Sequence, residues 1–201
     1  MKRIEIQSLI EDIEAFIPFN EQEKRDKELF LAHLSSGKDV FTRKEQAHIT
    51  CSIWTLNAQK TKALMVYHNI YNSWSWIGGH ADGCTNLKEV ALRELHEETG
   101  AVCNSLCEKP NPESESNLLS LEILTVDGHE KNGEYVSSHL HLNVTFLAFA
   151  DESSQLQKNE EENSGVAWIE LDQVCRASTE PWIAARIYQK LLDKGKKYAW
   201  R

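Results

Sequence analysis

Apolar residues near the amino terminus recur every three or four positions, which is the spacing of one face of a helix. Ile6, Leu9, Ile13 and Phe16 belong to this face, and Pro18 ends it because proline disrupts a helix interior. A second helix is predicted from Asn20, with Glu23 at capping-box spacing, to about residues 35–37. Residues 1–44 are therefore expected to form a helical amino-terminal extension.

From His48 onward the pattern changes to strands and turns. Two strands, "HITCSIWTLN" and "ALMVYH", flank a polar turn and predict a hairpin. Later strands are predicted in "LLSLEILTV", "HLHLNVTFLAFA" and "VAWIEL", separated by the polar loops "DGHEKNGEYVSS" and "QLQKNEEENSG". A last helix is expected to begin at residues 179–181, where a proline suits the first turn, and to end near residues 193–195.

Helices and strands alternate too rarely for a doubly wound parallel sheet, so the pattern favours an α/β sandwich with a mixed sheet. The length of 201 residues suits a single domain, with the core over residues 45–195.

Composition and charge exclude several kinds of protein. The net charge of −9 argues against nucleic acid as a partner, because duplex phosphates require a basic face. No apolar run is long enough to span a membrane, and the acidic start is not a secretory signal. Five cysteines without a CxxC pair indicate reduced thiols, and a zinc site at Cys103 and Cys107 lacks two further ligands. A cytoplasmic protein is expected.

The segment "GGHADGCTNLKEVALRELHEETG", residues 78–100, contains the strongest chemical signal. Asn86 and Glu89 have capping-box spacing, Arg93 follows Glu89 by one helical turn, and Gly100 is typical of a helix end. Three glutamates, Glu94, Glu97 and Glu98, then share one helix face despite their repulsion. Carboxylates clustered in this way are suitable ligands for Mg²⁺ that also binds substrate phosphates. A merely solvated acidic helix is the alternative.

The residues from Gly79 to Ala101 resemble the Nudix box, whose pattern is G-x5-E-x7-R-E-U-x-E-E-x-G-U with U a bulky aliphatic residue. The positions in register are Gly79, Arg93, Glu94, Leu95, Glu97, Glu98 and Gly100. Thr85 departs from the pattern, because it stands where the first glutamate is expected. The "GGHADG" run also resembles a bacterial Nudix subgroup in which that glutamate is often replaced.

This resemblance implies a Nudix-like α/β/α sandwich and a pyrophosphohydrolase that uses Mg²⁺ or Mn²⁺. Its substrate would be a nucleoside diphosphate linked to another moiety, or a related diphosphate. By position, metal ligands would come from Gly79, Glu94, Glu97 and Glu98, with Arg93 and these glutamates forming the catalytic set. Two alternatives stay open: a nucleotide-binding domain without activity, and an enzyme like isopentenyl-diphosphate isomerase.

Further candidates lie outside the box helix. Alternation along "HLHLNVTFLAFA" places His139, His141 and Asn143 on one face, which predicts a substrate-binding wall together with His80. The acidic loop over residues 158–165 offers Glu161 or Glu162 as a further catalytic carboxylate, and its composition suggests that it closes over the substrate. The amino-terminal helices could also support a homodimer.

Overall fold

A computed structural model describes residues 2–103, 106–131 and 133–200. Its helices are α1 (Lys2–Ala15), α2 (Glu21–Leu34), α3 (Leu87–Thr99), α4 (Val174–Ala177), α5 (Pro181–Ile183) and α6 (Gln189–Tyr198), and a π-helical turn at Ala184–Tyr188 joins α5 to α6. Its strands are β1 (Ala47–Asn57), β2 (Lys62–His68), β3 (Ser73–Ser75), β4 (Ile77–His80), β5 (Ser120–Val126), β6 (His129–Lys131), β7 (Glu134–Val136), β8 (His139–Ala150) and β9 (Asn163–Glu170).

Seven strands form one mixed sheet, with β1 near its centre. Strand β1 pairs in parallel with β8 from Ala47↔Leu140 to Asn57↔Ala150, and on its other side it pairs antiparallel with β4 and β2. Strand β5 continues the sheet beyond β8, and β9 pairs with β2. The predicted mixed sheet and helical amino terminus are therefore confirmed.

The two faces of the sheet bury different helices, as expected of a sandwich. Residues Ile49, Cys51 and Ile53 of β1 pack with α3 and the amino-terminal helices. Trp54 and Leu56 point to the opposite face, where they pack with residues of the π-helical turn and α6. Because successive residues of a strand alternate between faces, this division fixes the direction of every neighbouring side chain.

Three local features differ from the sequence prediction. The expected loop between β5 and β8 contains the hairpin β6–β7. Strand β9 begins at Asn163, inside the segment predicted as an acidic loop, because its pairing with β2 extends that far. The carboxy-terminal helix begins at Pro181 as predicted, but it contains a π-helical turn and continues to Tyr198.

Four charged side chains form a buried network between α2, β5 and α6. Lys190 lies 3.1 Å from Glu23 and 2.9 Å from Glu122, and Lys194 lies 2.6 Å from Glu23. All four side chains are at most 2% exposed. Each charge has a partner of opposite sign, which is the condition for keeping charges away from water.

The network continues into the sheet through hydrogen bonds. Asn143 donates to Glu122 at 3.1 Å and accepts from Thr50 and Ser52, each at 3.0 Å. At the other end, Glu23 accepts from the Phe19 amide at 2.8 Å and so also caps α2. The amino-terminal extension is thereby joined to the interior of the domain.

Within the described residues, no helix is both long and apolar enough to cross a bilayer.

Replacing Glu23 by Gln should destabilise the fold by about 3–5 kcal/mol, because two buried ammonium groups would then share one carboxylate. Urea unfolding monitored by circular dichroism measures this change. The matched control is Glu21→Gln on the same helix, whose carboxylate is 67% exposed and should contribute little. Adding Lys194→Met to Glu23→Gln should restore part of the loss. Equal stability of the Glu23 and Glu21 variants would contradict the role of the network.

Candidate functional site

Helix α3 positions the three box carboxylates and has the predicted caps. The Asn86 side chain accepts a hydrogen bond from the Glu89 amide at its start, and Gly100 at its end has a left-handed backbone with φ 70°. Leu87, Val90, Ala91 and Leu95 are buried against the sheet. The apolar stripe therefore fixes the rotation of the helix and, with it, the direction of Glu94, Glu97 and Glu98.

Glu98 is only 3% exposed. The Gly78 amide donates to its carboxylate at 3.0 Å, and the Asn163 side chain donates to its backbone carbonyl, also at 3.0 Å. Burial, only partly offset by the hydrogen bond from Gly78, raises the pKa of Glu98 to about 8. The charges of Glu94, Glu162 and Glu97 add to this increase.

The other two carboxylates of the box are held by Arg93. Its guanidinium lies 3.0 Å from Glu94 and 3.7 Å from Glu97. The Glu89 carboxylate, one helical turn before Arg93, accepts from the Asn86 side chain at 3.3 Å. Burial raises the pKa of Glu94, against the opposing effect of Arg93. One guanidinium cation therefore balances two carboxylates, and a surplus of negative charge remains at the site.

Gly79 brings the backbone of β4 against these carboxylates. A Cβ atom at this position would lie 2.5 Å from Oε1 and 2.6 Å from Oε2 of Glu94, so a larger residue would displace that carboxylate. Glycine therefore lets the backbone and the carboxylate approach this closely. Carboxylate and backbone oxygens with unbalanced negative charge are the donors that Mg²⁺ and Mn²⁺ prefer, so the residues present fit a divalent cation.

The acidic loop is attached to α3 and to the turn that follows β2. The Gln157 amide donates to the carbonyl of Thr99 at 2.8 Å, and the carbonyl of Glu162 accepts from Asn69 at 3.0 Å. Glu162 is exposed, yet its charge raises the pKa of both Glu94 and Glu98. Glu161 is exposed too, and its amide donates to the Asn159 side chain at 3.3 Å. The structure thus brings Glu162 toward the box carboxylates.

The residues of the predicted substrate-binding wall do not lie beside the box carboxylates. His80, His139, His141 and Asn143 are on the sheet face opposite α3, because they alternate with residues that pack against α3. Asn143 is 2% exposed and bonded within the buried network, which corrects its assignment as a substrate contact. Substrate binding by the three histidines stays a prediction.

His48 joins these three histidines and was missed by the sequence analysis. One ring nitrogen from each of the four lies within 4.8 Å of the others. Burial, with the neighbouring histidine and arginine charges, lowers the pKa of His141 to about 2. The single signal for His48 was its place at the start of a strand, and only the parallel pairing of β1 with β8 brings it beside His141.

The raised pKa of Glu98 predicts how stability depends on pH. The folded chain keeps this proton to about pH 8, whereas the carboxyl ordinarily ionises near 4.5. Between these two pH values the folded state binds more protons than the unfolded state. The stability that the Glu98 proton contributes is therefore complete below the ordinary pKa, and it is lost as the pH rises through the pKa of the folded state. Glu98→Gln should remove this loss of stability. Between about pH 5 and pH 9, the free energy of unfolding of the wild type should therefore fall relative to that of the variant by on the order of 1–4 kcal/mol.

Urea unfolding in the presence of a chelator, repeated across this pH range, measures the effect. Glu97→Gln is the matched control, because that side chain is 54% exposed and should leave the pH slope unchanged. A wild-type slope identical to that of Glu98→Gln would show that Glu98 is ionised in the folded protein.

One family model and several solved structures are similar to this chain. The model of the NUDIX domain matches residues 46–191. A Nudix-family hydrolase from Clostridium perfringens is 22% identical with a TM-score of 0.48, covering 72% of this chain and 95% of its own. An Ap4A hydrolase from C. elegans, solved as a binary complex, is 19% identical with a TM-score of 0.49, covering 75% and 96%.

A MutT Nudix hydrolase from Burkholderia pseudomallei is 18% identical with a TM-score of 0.39, covering 64% of this chain and 86% of its own. A search of curated proteins finds no significant match. The domain match spans well over half of the sequence and includes the whole of α3 with its three glutamates. The chain therefore belongs to the Nudix family, and the Nudix hydrolase that the box predicted is confirmed at the level of the family.

Proposed function

We propose that this protein hydrolyses a phosphoanhydride bond in a nucleoside diphosphate derivative, using Mg²⁺ or Mn²⁺. The observation that carries the proposal is the set of box carboxylates gathered beside the backbone of Gly79. Burial and mutual repulsion raise the pKa of Glu94 and Glu98 there. Such a site is costly without a cation and binds one readily.

The cation would be held by the carbonyl of Gly79 and the carboxylates of Glu94, Glu97 and Glu98. When bound, a divalent cation neutralises charge on the phosphates and lowers the pKa of a water molecule. Its binding would displace the proton that Glu98 carries in the free protein. The acidic net charge of −9 is compatible with a phosphorylated substrate for the same reason, since the cation lies between two negative groups.

The protein itself contributes orientation and a base. Arg93 holds Glu94 and Glu97 in a fixed direction through contacts of 3.0 and 3.7 Å. Glu162 lies in a loop that is anchored to α3, and its negative charge raises the pKa of Glu94 and Glu98. We assign Glu162, in preference to Glu161, as the carboxylate that orients or deprotonates the attacking water.

The two alternative functions would each require different residues at the site. An isomerase of the isopentenyl-diphosphate type would need a reactive cysteine and further metal ligands at the site. Cys84 lies in the loop before α3 but in a different context. Cys51 under α3 is fully buried and donates to the Leu87 carbonyl at 3.2 Å. Burial also raises the pKa of this thiol, which disfavours the thiolate. A silent binding domain would not require the pair Glu97 and Glu98, both of which this chain retains.

Turnover of a panel of nucleotides tests the function directly. We expect release of nucleoside monophosphate, followed by anion-exchange chromatography, from ADP-ribose, NADH, sugar nucleotides or dinucleoside polyphosphates with Mg²⁺ or Mn²⁺. Glu97→Gln should abolish turnover and weaken Mn²⁺ binding measured by electron paramagnetic resonance, with the melting temperature unchanged. Binding of nucleotides without turnover of any of them would favour the silent domain.

Glu162→Gln should lower the turnover number by a factor of about 10²–10⁴, as expected on losing a general base. Mn²⁺ affinity of the free protein should barely change. Glu160→Gln is the matched control, because Glu160 is 81% exposed and pairs with Lys158 at 3.3 Å in the same loop. If Glu162→Gln stays fully active while Glu161→Gln loses turnover, the base is Glu161 instead.

A further inference from the structure

Four imidazole rings meet on the sheet face opposite α3, at one end of the buried polar network. They belong to His48 of β1, His80 of β4, and His139 and His141 of β8. The ring centroid of His48 lies 5.2 Å from that of His80, 5.1 Å from that of His139 and 5.2 Å from that of His141. We call this group the histidine cluster.

Strand pairing builds the cluster, so its geometry is fixed by the backbone. His48 is directly opposite His141 in the parallel pair β1–β8. His80 pairs with Thr50 on the other side of β1, and His139 precedes His141 by two residues on the same face. Ligands that come from three neighbouring strands of one sheet are held with little freedom to separate.

The outer nitrogens of two rings show which nitrogen faces inward. Nδ1 of His48 lies 2.8 Å from the carbonyl of Glu45, and Nδ1 of His139 lies 2.9 Å from the carbonyl of Ser137. A carbonyl accepts only, so these Nδ1 atoms carry protons, and the neutral form of each ring then presents the lone pair of Nε2. Backbone carbonyls commonly orient metal-binding histidines in this way.

Two observations inside the cluster favour a cation as its ligand. Nε2 of His48 is buried without a hydrogen-bond partner, although the residue is only 4% exposed. Nε2 of His141 lies 3.1 Å from Nε2 of His139 and 3.2 Å from Nε2 of His80, and one nitrogen cannot donate to both. Nitrogens bound to a tetrahedral zinc at about 2.0–2.1 Å lie about 3.3–3.4 Å apart, close to these separations.

We propose that the histidine cluster binds one transition-metal ion of the Zn²⁺ class through four Nε2 atoms. Nitrogen-only donors suit Zn²⁺, Co²⁺, Ni²⁺ or Cu²⁺ and disfavour Mg²⁺, which requires oxygen. Four protein ligands form a closed site of the structural kind, which would tie β1, β4 and β8 together. This site is separate from the box carboxylates, which lie on the other face, and it goes beyond the proposed hydrolysis.

Co²⁺ titration of the full-length, chelator-treated protein tests the proposal. We expect one equivalent to bind with the intense visible absorption of tetrahedral Co²⁺, and added Zn²⁺ to remove that absorption by competition. His139→Asn and His48→Gln should each abolish the signal, and Zn²⁺ should raise the melting temperature of the wild type but of neither variant. Two variants are used so that failure of one to fold leaves the test intact.

Two controls separate this site from others. His129→Gln should keep the Co²⁺ signal, because His129 is a neighbour of His139, at 6.0 Å between ring centroids, but lies outside the cluster. Glu97→Gln should also keep it while losing Mn²⁺ binding, which distinguishes this site from the one used for hydrolysis. Absence of tetrahedral Co²⁺ in the wild type, or its loss in Glu97→Gln and retention in His139→Asn, would overturn the proposal.

An independent measurement needs no variant. Long-range proton–nitrogen spectra of the histidine rings should show the Nε2 resonances of four rings move on addition of Zn²⁺, with His129 unchanged. If the Nε2 resonances of the histidine cluster do not move, the proposed metal site is contradicted, even if Zn²⁺ binds elsewhere on the protein.

Discussion

The parallel pairing of β1 with β8 is the constraint on which the rest of the structure depends. Over its length, from Ala47 to Asn57 on one strand and from Leu140 to Ala150 on the other, it sets which side chains face each helix layer. One face receives α3, and the opposite face receives the buried charges and the histidines. A shift of this register by one residue would exchange the two faces, so both candidate sites depend on the same backbone ladder.

Helix α3 was predictable in detail because its signals are local. The caps at Asn86 and Gly100, the apolar stripe and the spacing of the glutamates all lie within one segment. The charge network was not predictable, because Lys190 and Lys194 lie on a lysine-rich helix that resembles a solvated surface. Their partners lie far away in the sequence, and only tertiary packing reveals them. The histidine cluster was predicted only in part for the same reason: the sequence grouped His80 with His139 and His141, but His48 requires knowledge of a parallel neighbour.

Buried carboxylates of this chain occur in two opposite electrostatic settings. Burial alone would raise the pKa of Glu23, but the ammonium groups of Lys194 and Lys190 hold it below its ordinary value. Glu98 is equally enclosed, yet its neighbours are carboxylates, and its pKa rises to about 8. The first setting is complete within the protein and supports the fold. The second is incomplete, which is typical of a site that receives a positively charged ligand.

The pairing of Glu23 with Lys194 also constrains the order in which the molecule is assembled. The two residues are 171 positions apart, so during synthesis the amino-terminal helices emerge long before their cationic partners exist. Docking Glu23 early would bury a charge without compensation, which is strongly unfavourable. The helices α1 and α2 are therefore expected to wait, exposed, until α6 leaves the ribosome. The segment that carries Glu23 would then be made early and take its final place late.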